Sequence, residues 1–282
     1  MDLSHLNDDQ KKAVLATHGR VLVLAGAGSG KTKVLTTKIA YLITKCAISP
    51  ESILGLTFTR KAAQEMSLRL KSIIDPSIAK RVMLSTFHGF CTHVLRNDIQ
   101  HLGYTKNFTI YDSQDVHRLA VDIAKDLLAH EGRLPSIQAS LSAIQDAQNQ
   151  GISPQDLAMC ASSWHDSFVS DLYKRLSACL KAHNAVDFDH MLALCYELFS
   201  KHPAVLKKYS DRFQFVLIDE YQDTNPIQAK IANLLTEHSG NLCVVGDDDQ
   251  SIYGWRGAEV ANILQSTAAA AERVFAFLAE EE

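Results

Sequence analysis

The chain has 282 residues, 46% of them hydrophobic and 21% charged, enough to bury a full core and to fold as one large domain or two of ordinary size. A formal net charge of −4 excludes a globally basic nucleic-acid binder, so any DNA surface has to be a local stripe. The six cysteines are scattered with no CxxC pair, the start MDLSHLNDDQ is no signal peptide, and no apolar run reaches bilayer length, so reduced thiols, a cytoplasmic location and no membrane partner are expected.

Val21-Leu22-Val23-Leu24 is a short apolar run of strand type. It leads into AGAGSGKT at 25–32, and Lys31 to Lys45 follows with Val34, Leu35, Ile39 and Leu42 at helical spacing: strand, glycine loop, helix. Ile53–Phe58 is a second strand candidate, and the helical pattern from Lys61 to Ile74 is ended by Pro76. Val82–Thr86 leads into another helix, and Phe215–Ile218 and Leu242–Val245 are two further apolar strands. Continuous apolar strands alternating with helices predict an α/β fold with a parallel sheet covered on both faces. From about Thr109 to Tyr209 no strand-like run occurs, and amphipathic stretches broken at Gly132, Pro135, Gly151 to Pro154 and Pro203 predict an all-helical insertion. The alanine-rich tail, 263–282, reads as a helix with an unfavourably acidic end.

The chemistry concentrates at two strand ends. Gly26, Gly28 and Gly30 let backbone N–H groups turn inward without Cβ obstruction, and the following helix offers its positive N-terminus to a polyphosphate. Lys31 is then placed to reach the terminal phosphates and the Thr32 hydroxyl to join a Mg²⁺ shell. Ala25 stands where the strict phosphate-loop pattern has its first glycine. A glycine-rich packing turn is the alternative, and GKT between a strand and a helix disfavours it. The strand Phe215–Ile218 ends in Asp219-Glu220, a second carboxylate half: Asp219 for the metal shell, Glu220 to orient and deprotonate an attacking water. His88, Cys91 and His93 have metal-ligand chemistry but no second ligand pair, so packing roles are expected for them.

LNDDQ at 6–10, AGAGSGKT, TFTRKAA at 57–63, STFHGF at 85–90, NAVDFD at 184–189, DEYQDTN at 219–225 and VGDDDQSIYGWRGA at 245–258 follow one another along the chain. In these stretches, over residues 1 to about 260, the sequence resembles the N-terminal half of a superfamily 1A DNA helicase of the UvrD, Rep and PcrA group. The resemblance implies a RecA-like P-loop domain at 1–108 and 210–262, interrupted by a helical subdomain at 109–209, with ATP and Mg²⁺ as ligands. It implies that Gln10 reads the adenine edge, although Asn7 and Gln10 also have the spacing of a helix capping box. Ala25, Gly26, Ala27, Gly28, Ser29, Gly30, Lys31 and Thr32 would cradle the phosphates, with Lys33 and Arg60 also on the nucleotide side. Gln250 matches the glutamine that senses the γ-phosphate, which makes Lys31, Asp219, Glu220 and Gln250 the catalytic set. For single-stranded DNA or a single/double-strand junction, Phe58, Tyr253 and Trp255 match base-stacking positions, and Thr86, His88, Arg60 and Arg256 match backbone contacts. Phe87 and Phe90 are expected in the core.

The family's motor needs a second RecA-like domain that supplies arginines across the cleft, and the stretch after Ala258 is too short for a βαβ unit of about 30 residues. Loss of such an arginine lowers phosphoryl-transfer rates by about 10³–10⁵. The expectation is therefore the ATP-binding half of a single-stranded-DNA translocase or helicase, without unwinding activity of its own unless a second domain acts in trans. The alternatives are a nucleotide-gated DNA-binding module without motor activity and an inert truncated remnant.

Overall fold

Helix starts along the chain are written in its capping residues. Asn7 opens α1 (Asp8–Leu15) with a capping box: its side chain accepts from the Gln10 N–H at 2.9 Å and the Gln10 side chain accepts from the Asn7 N–H at 3.2 Å. The apolar run Arg20–Ala25 follows as β1, and α2 (Lys31–Thr44) starts from Gly30. Then come β2 (Ile53–Thr57), α3 (Arg60–Ile73), capped by the Thr59 hydroxyl on the Ala62 N–H, α4 (Pro76–Ala79), β3 (Met83–Thr86) and α5 (Phe87–Asp98). The chain continues through β4 (Thr109–Tyr111), α6 (Ser113–Leu127), α7 (Ile137–Gln150), α8 (Pro154–Met159), α9 (Trp164–Ala182), β5 (Ala185–Asp187) and α10 (His190–Lys201). It ends with α11 (Pro203–Arg212), β6 (Phe215–Ile218), α12 (Pro226–Thr236), β7 (Leu242–Gly246) and β8 (Arg273–Phe277). The computed structural model describes residues 1–26, 28–128, 135–247 and 273–277, which divide into two units, 1–89 with 203–282 and 90–202.

The first unit is built on a six-stranded sheet in the order β3-β2-β6-β7-β1-β8, and every pairing in it is parallel. Its central strands are buried on both faces, as parallel strands must be. Val21, Val23, Leu217, Cys243 and Val245 share one face with Val34, Leu35 and Ile39 of α2 and Met66 and Leu70 of α3. Leu22, Val216, Ile218 and Val244 alternate with them and are equally buried. Phe87 and Phe90 are buried, the packing role expected for them.

The second unit has its own core, in which Ile123 and Ala124 of α6, Ile144 and Ala147 of α7 and Phe168, Leu172, Tyr173 and Leu176 of α9 pack together. Among its described residues the helices are joined by one parallel ladder, β4 with β5, pairing Thr109 with Ala185 and Tyr111 with Asp187. That ladder departs from the all-helical expectation, and its cause is local. Asn184, at φ 48°, turns the chain out of α9, while its side chain accepts from the Thr105 N–H at 2.8 Å and its carbonyl from the Thr109 N–H at 3.0 Å. The units divide at 89/90 and 202/203, where the sequence reading put 108/109 and 209/210. In the tail, 273–277 is a strand and not part of a helix: it pairs in parallel with β1, Val21 against Arg273 through Ala25 against Phe277. The open ladder edge of β1 outweighs the helix propensity of the flanking alanines, and Phe275 packs against the sheet core.

Candidate functional site

Because all six strands run the same way, their carboxyl ends form one edge, and the sequence-expected residues of this unit collect there. β1 ends in the glycine loop. Gly28 and Gly30 have φ of 74° and 84°, the left-handed region that a side chain at either position would strain. Ser29 ties the loop to itself, its N–H and hydroxyl both donating to the Gly26 carbonyl at 3.3 and 2.7 Å. No side chain caps α2 at Gly30, so the first-turn N–H groups keep their donor capacity at the positive end of a 14-residue helix.

Three long-range contacts assemble the rest. The Thr32 hydroxyl donates to Asp219 Oδ2 at 3.0 Å, joining the first turn of α2 to the end of β6. Lys31 Nζ donates to Asp247 Oδ2 at 3.0 Å, a buried ion pair whose side chains are 10% and 3% exposed. Gln10 Nε2 donates to the Ser29 carbonyl at 2.8 Å, so its amide serves the α1 cap and the loop together. A Cβ on Gly30 would stand 3.4 Å from that amide nitrogen.

Asp219 continues the ladder, its N–H donating to the Leu56 carbonyl at 2.9 Å, and it is buried. Burial, and next the charge of Glu220, push its carboxyl up to about 6 against the opposing pull of the Thr32 hydroxyl, the Glu220 N–H and Lys31. Asp223 is pushed up to about 6 by burial and then by Glu220, and among the described residues its Oδ1 accepts no hydrogen bond. Glu220 adopts a left-handed backbone, φ 51° and ψ 50°, rare for a non-glycine residue and characteristic of functional turns. Its carboxylate accepts from Gln222 Nε2 at 2.8 Å, and Gln222 Oε1 accepts from the Asp247 N–H at 3.0 Å.

Hydroxyl and carboxylate oxygens at the N-terminal end of α2 suit a hard cation, and a buried acid raised this far gains from one. Among the described residues no cluster of three histidine, cysteine or acidic side chains forms a metal cage. Mg²⁺ does not require one, since it is held by one or two protein oxygens with water and substrate phosphate. Thr32 and Asp219 fit that mode.

Two nucleotide-side candidates stand apart. Lys33 Nζ donates to the His5 carbonyl at 2.7 Å and so anchors the N-terminal segment. Arg60 is exposed in the first turn of α3, following β2, with β6 and β7 between it and β1. Phe58 follows β2, and Thr86 and His88 close β3 and open α5; all three are half-buried, and Thr86 Oγ1 accepts from the Gly89 N–H at 3.1 Å. They share the carboxyl edge with the loop, Phe58 three strand spacings away and Thr86 and His88 four, or about 14 and 19 Å at about 4.8 Å per strand. Ala27, Gln250, Tyr253, Trp255 and Arg256 lie outside the described residues.

Sequence reasoning missed Asp247, Gln222 and Asp223. The available signal was an acid closing the apolar run Leu242–Gly246, the same pattern that identified Asp219. Among the described residues no helix is long and apolar enough to cross a membrane.

Residues 6–271 match the family model described as the UvrD/REP helicase N-terminal domain. The chain is 41% identical over 266 residues to a protein of Staphylococcus aureus named ATP-dependent DNA helicase PcrA, and 40% identical over 262 residues to the protein of that name in Staphylococcus epidermidis. Each alignment covers 93% of this chain and 36% of the relative, so the chain spans about a third of the length of these relatives. This match, over most of the chain, shows that the chain belongs to the UvrD/REP helicase N-terminal domain family.

Proposed function

We propose that this chain is the ATP-binding and ATP-hydrolysing half of a DNA motor, which unwinds DNA only with a second RecA-like domain. The observation that carries the reading is the contact of Thr32 with Asp219 across 187 residues of sequence, which joins a phosphate loop to a strand-end carboxylate. The loop N–H groups and the start of α2 receive the phosphates, and Lys31 leaves Asp247 to neutralise the terminal one. Thr32 and Asp219 would hold Mg²⁺, which would supply positive charge to offset that of the phosphates. Glu220 orients a water and accepts its proton as the water oxygen bonds to the γ-phosphorus. The bond from that phosphorus to the β–γ bridging oxygen breaks, leaving ADP and phosphate. Gln10 reads adenine with the second amide hydrogen and oxygen lone pair that its present bonds leave available.

Single-stranded DNA, or a single/double-strand junction, is the second ligand. Phe58 offers a flat face, and Thr86, His88 and Arg60 offer donors, along the edge that carries the loop. The names of the relatives support DNA as the partner. A second RecA-like domain supplies arginines to the γ-phosphate from across the cleft.

The test is single-turnover ATP hydrolysis by the purified chain, with and without a thymidine oligonucleotide, alongside equilibrium binding of Mg·ADP. Glu220→Gln is expected to hold Mg·ADP within a few-fold of the parent and to hydrolyse about 10²-fold more slowly or worse. Hydrolysis by Glu220→Gln at the parent rate, or failure of the parent to bind Mg·ADP, would overturn the reading.

A further inference from the structure

Four polar groups near the cradle form one connected path. Lys31 is paired with Asp247, the Asp247 N–H donates to Gln222 Oε1, and Gln222 Nε2 donates to Glu220 Oε2. Gln222 is 2% exposed and Asp247 is equally buried, so neither bond is a casual surface contact. A buried carboxamide that spends its oxygen on one side and its nitrogen on the other has a fixed amide orientation. That fixes which way the Glu220 carboxylate is turned, on a backbone already held in a left-handed conformation.

We propose that Gln222 is a positioning residue for hydrolysis: it aims the Glu220 carboxylate and ties that aim to the end of β7, where Asp247 holds the phosphate-seeking Lys31. This rests on the reading of Glu220 as the base. When phosphate takes Lys31 from Asp247, the lysine leaves the residue whose N–H grips Gln222, so loading of the cradle reaches the water-activating group through two hydrogen bonds. Misplacement of a catalytic group by 1 Å can cost about 10²-fold in rate, which sets the scale of the effect.

Two substitutions separate the two ends of the amide. Gln222→Glu keeps an acceptor for the Asp247 N–H and replaces the donor facing Glu220 with an oxygen; Gln222→Met removes both. The expected result for Gln222→Glu is Mg·ADP affinity within about twofold of the parent, unchanged amide exchange at Asp247, and single-turnover hydrolysis slowed about tenfold or more. Gln222→Met is expected to slow hydrolysis as much and also to speed exchange of the Asp247 amide about tenfold, with β6 and β7 amides unchanged as the check on folding. In a Glu220→Gln background either change should add less than about twofold, because a residue acting through Glu220 has nothing left to aim. The proposal is overturned by parent-like hydrolysis in both variants, or by an equal loss in the two backgrounds. If Glu220→Gln alone hydrolyses normally, the base assignment itself has failed, and that outcome is read independently of the Gln222 variants.

Discussion

Removing the cradle lysine should unfold the protein more readily as well as disable it. Lys31→Ala leaves the Asp247 carboxylate, 3% exposed, without the ammonium that sits 3.0 Å away. Breaking a buried ion pair by deleting one partner costs about 3–5 kcal/mol, because the remaining charge keeps its desolvation penalty and loses its compensation. At about 2–4 °C per kcal/mol for a domain of this size, the melting temperature should drop by about 6–20 °C. The assay is a thermal melt followed by far-UV circular dichroism on the parent, Lys31→Ala, Asp247→Asn and the double variant. The double variant removes both charges and should recover most of the loss, ending within about 1–2 kcal/mol of the parent. Raising salt from about 0.05 to 0.5 M should leave the difference between parent and Lys31→Ala nearly unchanged, since a buried pair is poorly screened. A Lys31→Ala protein that melts within about 2 °C of the parent, or a double variant no better than the single, would refute the reasoning. If the loss is found, weak nucleotide binding by Lys31→Ala has two causes, and the double variant is the cleaner control.

Asp219 and Asp223, each pushed up to about 6, hold protons in the folded chain that the unfolded chain has already released, so the nucleotide-free protein should lose stability as pH rises from about 4 to 6. Urea midpoints between pH 4.5 and 7 check this, and Mg·ADP affinity should rise over the upper part of the same range as Asp219 becomes free to take the metal; a flat profile in both would count against the assignment. Lys38 is a buried ammonium on α2 that donates to the Ala13 carbonyl at 2.8 Å and to the Ala16 carbonyl, where α1 ends. Lys38→Met should cost about 2–4 kcal/mol by stripping those carbonyls and the charge at a helix C-terminus, and amide exchange in α1 should rise more than in β6. Equal protection of α1 in the variant and the parent would rule out this anchoring role.

Most of the sheet was legible because a parallel strand buried on both faces is a continuous apolar run, which needs no partner to be recognised. Phe215–Ile218 was read to the residue and β1, β2, β3 and β7 to within one at either end. The ladder of β4 and β5 was not legible, since three residues are too few to show a period and their pairing depends on Asn184. The strand β8 was hidden for another reason: Arg273–Phe277 lies between alanines and glutamates that favour a helix locally, and only the exposed edge of β1 makes the extended form pay. At the site, the loop and Asp219-Glu220 carry their chemistry in local spacing. The partner of Lys31 lies 216 residues away and is chosen by the adjacency of β7 and β1, a tertiary fact with no signature in either segment.

The strand order bears on how this protein comes into being. The first two strands made, β1 and β2, do not touch: β1 lies between β7 and β8, and β2 between β3 and β6. On the ribosome β1 must wait, apolar and unpaired, and β2 with β3 alone beside it, until residues 215–246 have emerged to fill the gap between them. Meanwhile 90–202, with its own core, can fold as soon as it is synthesised. The segment that carries Asp219 and Asp247 is thus also the one that joins the two halves of the sheet, so Thr32 and Lys31 meet their carboxylate partners only once that gap is filled.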